Sequence, residues 1–164
     1  MKRQKKGFTI VELVIVIIIV AILTVVSVPV YQHHVEKARF TEAFTMLRAI
    51  ADANTVYFIE HGKWCDDISE LDVQIEGEVS TQDSLVRIET PNFIYACCGD
   101  SSTSNTIATV NRKPFKERYW MSFTATPNKK EPKLGKYGFN GDATYNKSTK
   151  IDKELIAFYK KKYS

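Results

Sequence analysis

The feature that most constrains this chain is an uncharged apolar run from Leu13 to Tyr31, dense in Val and Ile. Four basic residues precede it: Lys2, Arg3, Lys5 and Lys6. A helix rises about 1.5 Å per residue, so residues 8–31 would span roughly 36 Å, enough to cross a bilayer core. In lipid, a lone segment satisfies its backbone hydrogen bonds only as a helix. The sequence therefore predicts a membrane-spanning helix with its basic N-terminus on the cytoplasmic side.

A single carboxylate, Glu12, lies at the start of this apolar run. A carboxylate at the edge of the hydrocarbon is unfavourable unless it is paired, and two interpretations stay open. In the first, Glu12 lies in the first helical turn, where the helix dipole stabilises a negative charge. In the second, it pairs with a cation, which cleavage after Gly7 would supply as the new α-amine of Phe8.

The segment KKGFTIVEL, residues 5–13, resembles the processing site of type IV prepilins and of the pseudopilins of type II secretion. In that family a prepilin peptidase cuts after the glycine and methylates the new N-terminal phenylalanine. The resemblance assigns these positions to Gly7 and Phe8, and it assigns Phe8, Glu12 and Pro29 to subunit assembly. It covers roughly residues 1–60.

The sequence and its resemblance together divide the chain into three parts. Residues 1–7 are a basic leader that is removed, and residues 8–30 are a hydrophobic helix for the membrane or a filament core. Residues 31–164 are a globular head that includes the second half of the helix. An ordinary secretory signal is not expected, because no small-residue cleavage site follows the apolar run.

Residues 31–61 continue the helix with an amphipathic pattern. Apolar side chains recur at three- and four-residue spacing, which predicts a stripe that packs on another layer: Phe40, Ala43, Phe44, Leu47, Ile50, Ala51, Tyr57 and Phe58. Gly62 is a natural stop for the helix. Pro29 interrupts the helical hydrogen bonds, which predicts a kink and, in the functional interpretation, a flexible point used in assembly.

The sequence of the remainder of the head predicts a small sheet. Residues 62–92 are expected to form an acidic loop with one helical turn near residues 67–71, and residues 152–163 a final helical turn or a frayed tail. Strand patterns occur at 93–98, 106–112, 119–126 and 137–139. The predicted fold class is α+β, a long N-terminal helix packed on an antiparallel sheet of three or four strands. The resemblance implies the same type IV pilin-like arrangement.

Charge is divided along the chain. Residues 8–111 carry 5 basic and 14 acidic side chains, whereas residues 112–164 carry 14 basic and 5 acidic ones. The part after the leader is neutral overall, which gives no support to nucleic acid as a partner. The lysines at 160–162, flanked by Tyr159 and Tyr163, have the composition of a nucleic-acid or membrane-surface patch, but such a run is more often a solvated face.

Three cysteines fall in the head, namely Cys65, Cys97 and Cys98. An exported head meets an oxidising compartment, so one disulfide is expected, with free buried thiols and a metal site as alternatives. A zinc site is poorly supported because no histidine is near. Adjacent strand residues point to opposite faces. We favour a Cys65–Cys98 bridge, with Cys97 as the alternative partner.

No catalytic set is recognisable. No Ser or Cys nucleophile lies at a known catalytic spacing from the histidines, which are His33, His34 and His61. Side-chain oxygens of the kind that bind calcium occur at Asn140, Asp142 and Thr144. The twelve-residue calcium loop and its final Glu are absent, which favours a plain turn. We expect no metal, no cofactor and no enzyme activity.

The chain is therefore predicted to be a structural subunit, the major pilin of a type IV pilus-like surface filament. The resemblance implies a precursor pool in the bacterial inner membrane, cleavage by a prepilin peptidase, and homopolymer growth by the pilus assembly machinery into an extracellular filament. Such filaments serve tasks that include cell adhesion and motility. A type II secretion pseudopilin or a minor pilin is the alternative within the family. A monomeric, single-pass anchored binding domain is the alternative from another class.

Overall fold

One helix, α1 (Ile10–His61), dominates the computed structural model of the chain. The structure describes residues 7–82, 85–99, 105–113, 119–125, 134–140 and 149–163. The chain forms two compact units, Met1–Glu36 and Lys37–Ser164. The predicted helix from Phe8 to about His61 is confirmed to within two residues.

The first unit is helical, and its side chains are exposed from residue 7 to residue 32. Its apolar stretch is long and uncharged enough to span a membrane by length and composition. The helix is continuous through Pro29, whose ring nitrogen has no proton to donate to the carbonyl group of Val25. The kink and the flexible point at Pro29 stay predictions.

In the second unit, the remainder of α1 carries the predicted apolar stripe. Its central members are completely buried: Phe40, Ala43, Leu47, Ile50 and Ala51. Phe44, Tyr57 and Phe58 pack at the edge of the same core. The helix ends at Gly62, which has a φ of +72° and donates its N–H to the Phe58 carbonyl oxygen at 2.8 Å. That left-handed conformation suits glycine because it has no Cβ.

The head contains a single antiparallel sheet in which each strand pairs with the next along the chain. Its strands are β1 (Glu78–Gln82), β2 (Leu85–Glu89), β3 (Phe93–Cys97), β4 (Thr106–Arg112), β5 (Trp120–Ala125) and β6 (Leu134–Asn140). The α+β class is confirmed. The sheet nevertheless has six strands, so the prediction of three or four was wrong.

The two extra strands are β1 and β2, in the segment predicted to be a loop. Val79 of β1 is 63% exposed, and only Ile88 of β2 is fully buried. A short edge hairpin with few buried side chains gives a weak sequence pattern. The predicted helical turn is present as a short 3₁₀ helix, Ile68–Glu70.

The last element is α2 (Lys150–Tyr163), so the predicted terminal segment is helical and continuous. Thr149 and Asp152 cap its first turn reciprocally, with the Thr149 N–H donating to Asp152 Oδ2 at 2.8 Å. Leu155, Ile156 and Tyr159 enter the core that α1 forms with the sheet. The Tyr159 ring lies 4.5 Å from that of Phe40, between centroids. The sheet and α2 together therefore enclose the second part of α1.

Candidate assembly site

The N-terminus of α1 is closed by a capping box between Thr9 and Glu12. Glu12 Oε2 accepts hydrogen bonds from the Thr9 N–H and hydroxyl, each at 2.8 Å. In return, the Glu12 N–H donates to Thr9 Oγ1 at 3.3 Å. This satisfies backbone donors that have no partner inside the helix. Within one chain, Glu12 is therefore a helix-capping residue.

Both bonds from Thr9 end on the same carboxylate oxygen of Glu12. Among the residues with described positions, no donor to Oε1 is recorded. The capping box thus leaves half of an anionic group open to a second partner. Sequence analysis missed the part played by Thr9, although Thr-x-x-Glu before an apolar run is a known signal for a helix start.

Gly7 and Phe8 precede the helix in an extended, exposed segment. A Cβ placed on Gly7 would meet no atom within 4 Å, and Gly7 is not among the residues with positive φ. Among the described residues, no packing contact therefore requires glycine at position 7. The Phe8 side chain is 77% exposed.

The head carries an open groove of about 840 Å³ between the last turns of α1 and the segment after it. Its floor includes Ala53 and Val56, and its wall is acidic: Asp52, Glu60, Glu70 and Asp72. The Tyr57 hydroxyl donates to Glu70 Oε2 at 2.8 Å, which raises the pKa of Tyr57 to about 12. His61 stacks on the Tyr57 ring with 4.1 Å between centroids.

Lys113, a described residue of the basic C-terminal part of the chain, forms an ion pair within the head. Lys113 Nζ lies 2.9 Å from Glu89 Oε2, which lowers the pKa of Glu89, with a further hydrogen bond from Ser80. The lysines at 160–162 are exposed in the last turn of α2, where the helix dipole favours positive charge. Helix stabilisation accounts for their position.

The structure describes all three cysteines, and none of them forms a disulfide there. Cys65 and Cys97 are buried and hydrogen-bonded to each other, whereas Cys98 is half-buried. The bond from Cys97 lowers the pKa of the Cys65 thiol, and the same bond together with burial raises that of Cys97. Of the two predicted partners, the structure thus brings the alternative, Cys97, to Cys65.

The remaining candidate residues form no site. Within the described ranges, no group of three or more His, Cys, Asp or Glu side chains is placed to hold a metal ion. Asp142 and Thr144 lie outside those ranges, as does the side chain of Asn140. His33 and His34 are on α1, with their rings 5.9 Å apart between centroids and perpendicular.

Sequence comparisons with known proteins find a family match at the N-terminus. Residues 2–28 match the family described as the prokaryotic N-terminal methylation motif. The chain is 44% identical over 64 residues to a type IV major pilin protein, PilE1, of Neisseria gonorrhoeae, covering 39% of each chain. It is 37% identical over 79 residues to a fimbrial protein of Neisseria meningitidis serogroup B, covering 48% of this chain and 46% of the relative.

A longer match is to the type IV major pilin protein PilE of Neisseria gonorrhoeae. It has 31% identity over 105 residues, covering 64% of this chain and 62% of the relative. The chain thus spans less than two thirds of the length of these relatives. No solved structure matches it significantly. The chain thus combines an exposed apolar helix with a match to the N-terminal methylation motif, and over part of its length it is similar to type IV major pilins.

Proposed function

We propose that this chain is the structural subunit of a type IV pilus-like surface filament, cut between Gly7 and Phe8 and methylated on Phe8. The observation that carries the proposal is the contrast within α1, whose first part exposes a largely apolar surface while the apolar stripe of its second part is buried in the head. An apolar surface of this size requires lipid or other apolar helices around it. The relatives are major pilins and fimbrial proteins.

The free space around Gly7 supports the cleavage site. The described part of the chain does not need glycine there, and a residue without a Cβ lets an enzyme approach the backbone closely. Cleavage would leave the α-amine of Phe8 as a new cation next to the exposed carboxylate of Glu12. A prepilin peptidase and a pilus assembly machinery are the partners that this pathway requires, and the inner membrane holds the precursor.

Assembly would then replace lipid around the apolar helix by the helices of neighbouring subunits. Because apolar burial changes little in that transfer, selectivity has to come from polar contacts. The free oxygen of Glu12 is suited to pair with the Phe8 α-amine of a neighbour while Oε2 keeps its bonds to Thr9. Such a pair would fix the axial register of the helices, since a slip of one residue separates the charges. Pro29 is the proposed point of flexibility.

Electron microscopy of sheared surface filaments tests the proposal. Filaments should be labelled by an antibody against the head and should be lost when this chain is deleted. Restoring the wild-type chain should restore them, whereas a Gly7→Phe chain should accumulate uncut in the membrane. Surface filaments that lack this chain, while it remains monomeric in the membrane, would overturn the proposal in favour of an anchored binding domain. A filament confined to the periplasm would indicate a pseudopilin.

A further inference from the structure

The segment that follows α1 is held against the sheet by buried polar contacts. Asn54, which is completely buried, accepts a hydrogen bond from the Cys65 N–H on Oδ1 at 2.9 Å. Its Nδ2 donates to the Ile107 carbonyl oxygen of β4 at 3.0 Å. One side chain on α1 thus fixes both the backbone of Cys65 and a central strand.

The residues next to Cys65 are tied to the same part of the sheet. Asp66 Oδ1 accepts from the Gly99 N–H at 2.8 Å, and Asp67 forms a bridge with Val86 of β2. A Cβ on Gly99 would lie 2.6 Å from Asp66 and from the Trp64 carbonyl oxygen. The backbone at residues 64–66 therefore passes directly over the end of β3.

This path brings Cys65 to Cys97 rather than to Cys98. Cys97 shares the core face of β3 with Phe93 and Tyr95, and its side chain is completely buried. Cys98 is the next residue, so its side chain starts from the opposite face, and it lies outside that core. The Cys65 and Cys97 side chains belong to the same buried core cluster, in a site closed to water.

We propose that Cys65 and Cys97 form a disulfide in the exported protein, and that Cys98 lies outside this bridge. The bridge would join the segment after α1 to β3, in the middle of the sheet. The Cys65 N–H and the Asp66 side chain are already hydrogen-bonded at the place where the bridge would form. The proposal depends on exposure of the folding head to an oxidant and not on polymerisation.

Bond formation removes two protons and two electrons from the pair of thiols. The acceptor is a disulfide, of a thiol oxidoreductase or of oxidised glutathione, which is reduced to two thiols. Cys65 first forms a mixed disulfide and releases one thiol of the oxidant. Cys97 then attacks the Cys65 sulfur and releases the second. Because both side chains are buried in the folded head, the exchange has to precede closure of the core.

Differential alkylation of the full chain tests the pairing. Membranes are denatured without reductant in N-ethylmaleimide, then reduced and treated with iodoacetamide, and the peptides are identified by mass spectrometry. In the wild-type protein, Cys98 should carry the first label, and Cys65 and Cys97 the second. Three cysteines with the first label, or Cys97 as the one free thiol, would overturn the proposal.

Single serine variants resolve the two adjacent cysteines. Cys98→Ser should leave the second label on Cys65 and Cys97, because the bridge does not involve residue 98. Cys97→Ser should move Cys65 to the first label. A bridge that survives Cys97→Ser but is lost in Cys98→Ser would contradict the geometry described above. The wild-type labelling decides the question even if Cys97→Ser fails to fold.

Discussion

The two parts of α1 are both rich in apolar residues but place them in opposite environments. Leu23 in the first part is 60% exposed, whereas Leu47 in the second is completely buried. The second part has a polar side as well as an apolar stripe, so one sheet face suffices to cover it. The first part has no polar side between Leu13 and Tyr31, so it needs apolar neighbours all round. The comparison teaches that one continuous helix combines a folding element with the element that we propose for assembly.

The largest effect that separates the two parts should come from the charge of Glu12. Glu12→Gln keeps a side chain able to complete the capping box with Thr9, but it cannot pair with an ammonium group. We expect this variant to insert, fold and be processed normally and to form essentially no filaments. The ratio of sheared filament to membrane-held subunit, in cells that make only the variant, measures this.

Thr9→Ala is the matched control, because it removes the two hydrogen bonds of the Thr9 hydroxyl and leaves the Glu12 carboxylate. It should lower filament yield far less than Glu12→Gln does. A normal yield from Glu12→Gln would restrict Glu12 to its capping role and remove the proposed register contact.

A pair of leucine substitutions should separate folding from assembly. Leu47→Ala leaves a cavity in the head and should reduce its stability by about 2 to 5 kcal/mol. Leu23→Ala removes the same atoms from an exposed position and should leave the melting temperature of the head unchanged. Circular dichroism of the full chain in detergent measures both. Equal losses would mean that the first part of α1 also stabilises the head.

A smaller effect is expected from contacts between heads. The acidic groove and the exposed lysines at 160–162 have opposite charge, and contacts between them across subunits would be screened beyond about 8 to 10 Å at physiological salt. Filaments should therefore loosen at high salt while isolated subunits keep their melting temperature. Sedimentation over a salt series measures this. Filaments of unchanged length at high salt would mean that these charges are neutralised within each head, as Lys113 and Glu89 are.

The smallest effect concerns the pair of Glu89 and Lys113. Lys113 and Ser80 lower the pKa of Glu89 in the folded head, so its contribution is present above the ordinary pKa of a glutamate and is lost as the pH falls. Because the pair is partly exposed, we expect less than about 1 kcal/mol. Thermal melts between neutral and acidic pH should show a slightly shallower loss in Glu89→Gln than in wild type. Identical slopes would show that the pair does not stabilise the head.

The sequence was sufficient for the elements whose residues repeat with a strong period. The stripe through Phe40 and Leu47 predicted the packed part of α1, and alternation between Tyr119 and Ala125 predicted β5. Local sequence patterns did not reveal the β1–β2 hairpin, because few of its side chains are buried. They also gave no sign of Asn54, whose hydrogen bonds connect residues 11 and 53 positions away. The role of Thr9 could have been predicted, since its Thr-x-x-Glu capping signal is local in the sequence.

The most direct test of the account is the mass of the N-terminal peptide of subunits in sheared filaments. If residues 8–30 form the filament core after processing, this peptide should begin at Phe8 and carry one methyl group on its α-amine. No subunit in the filament should retain Met1 to Gly7. Filament subunits with the intact leader would contradict the account, because Glu12 would then have no neighbouring α-amine with which to pair.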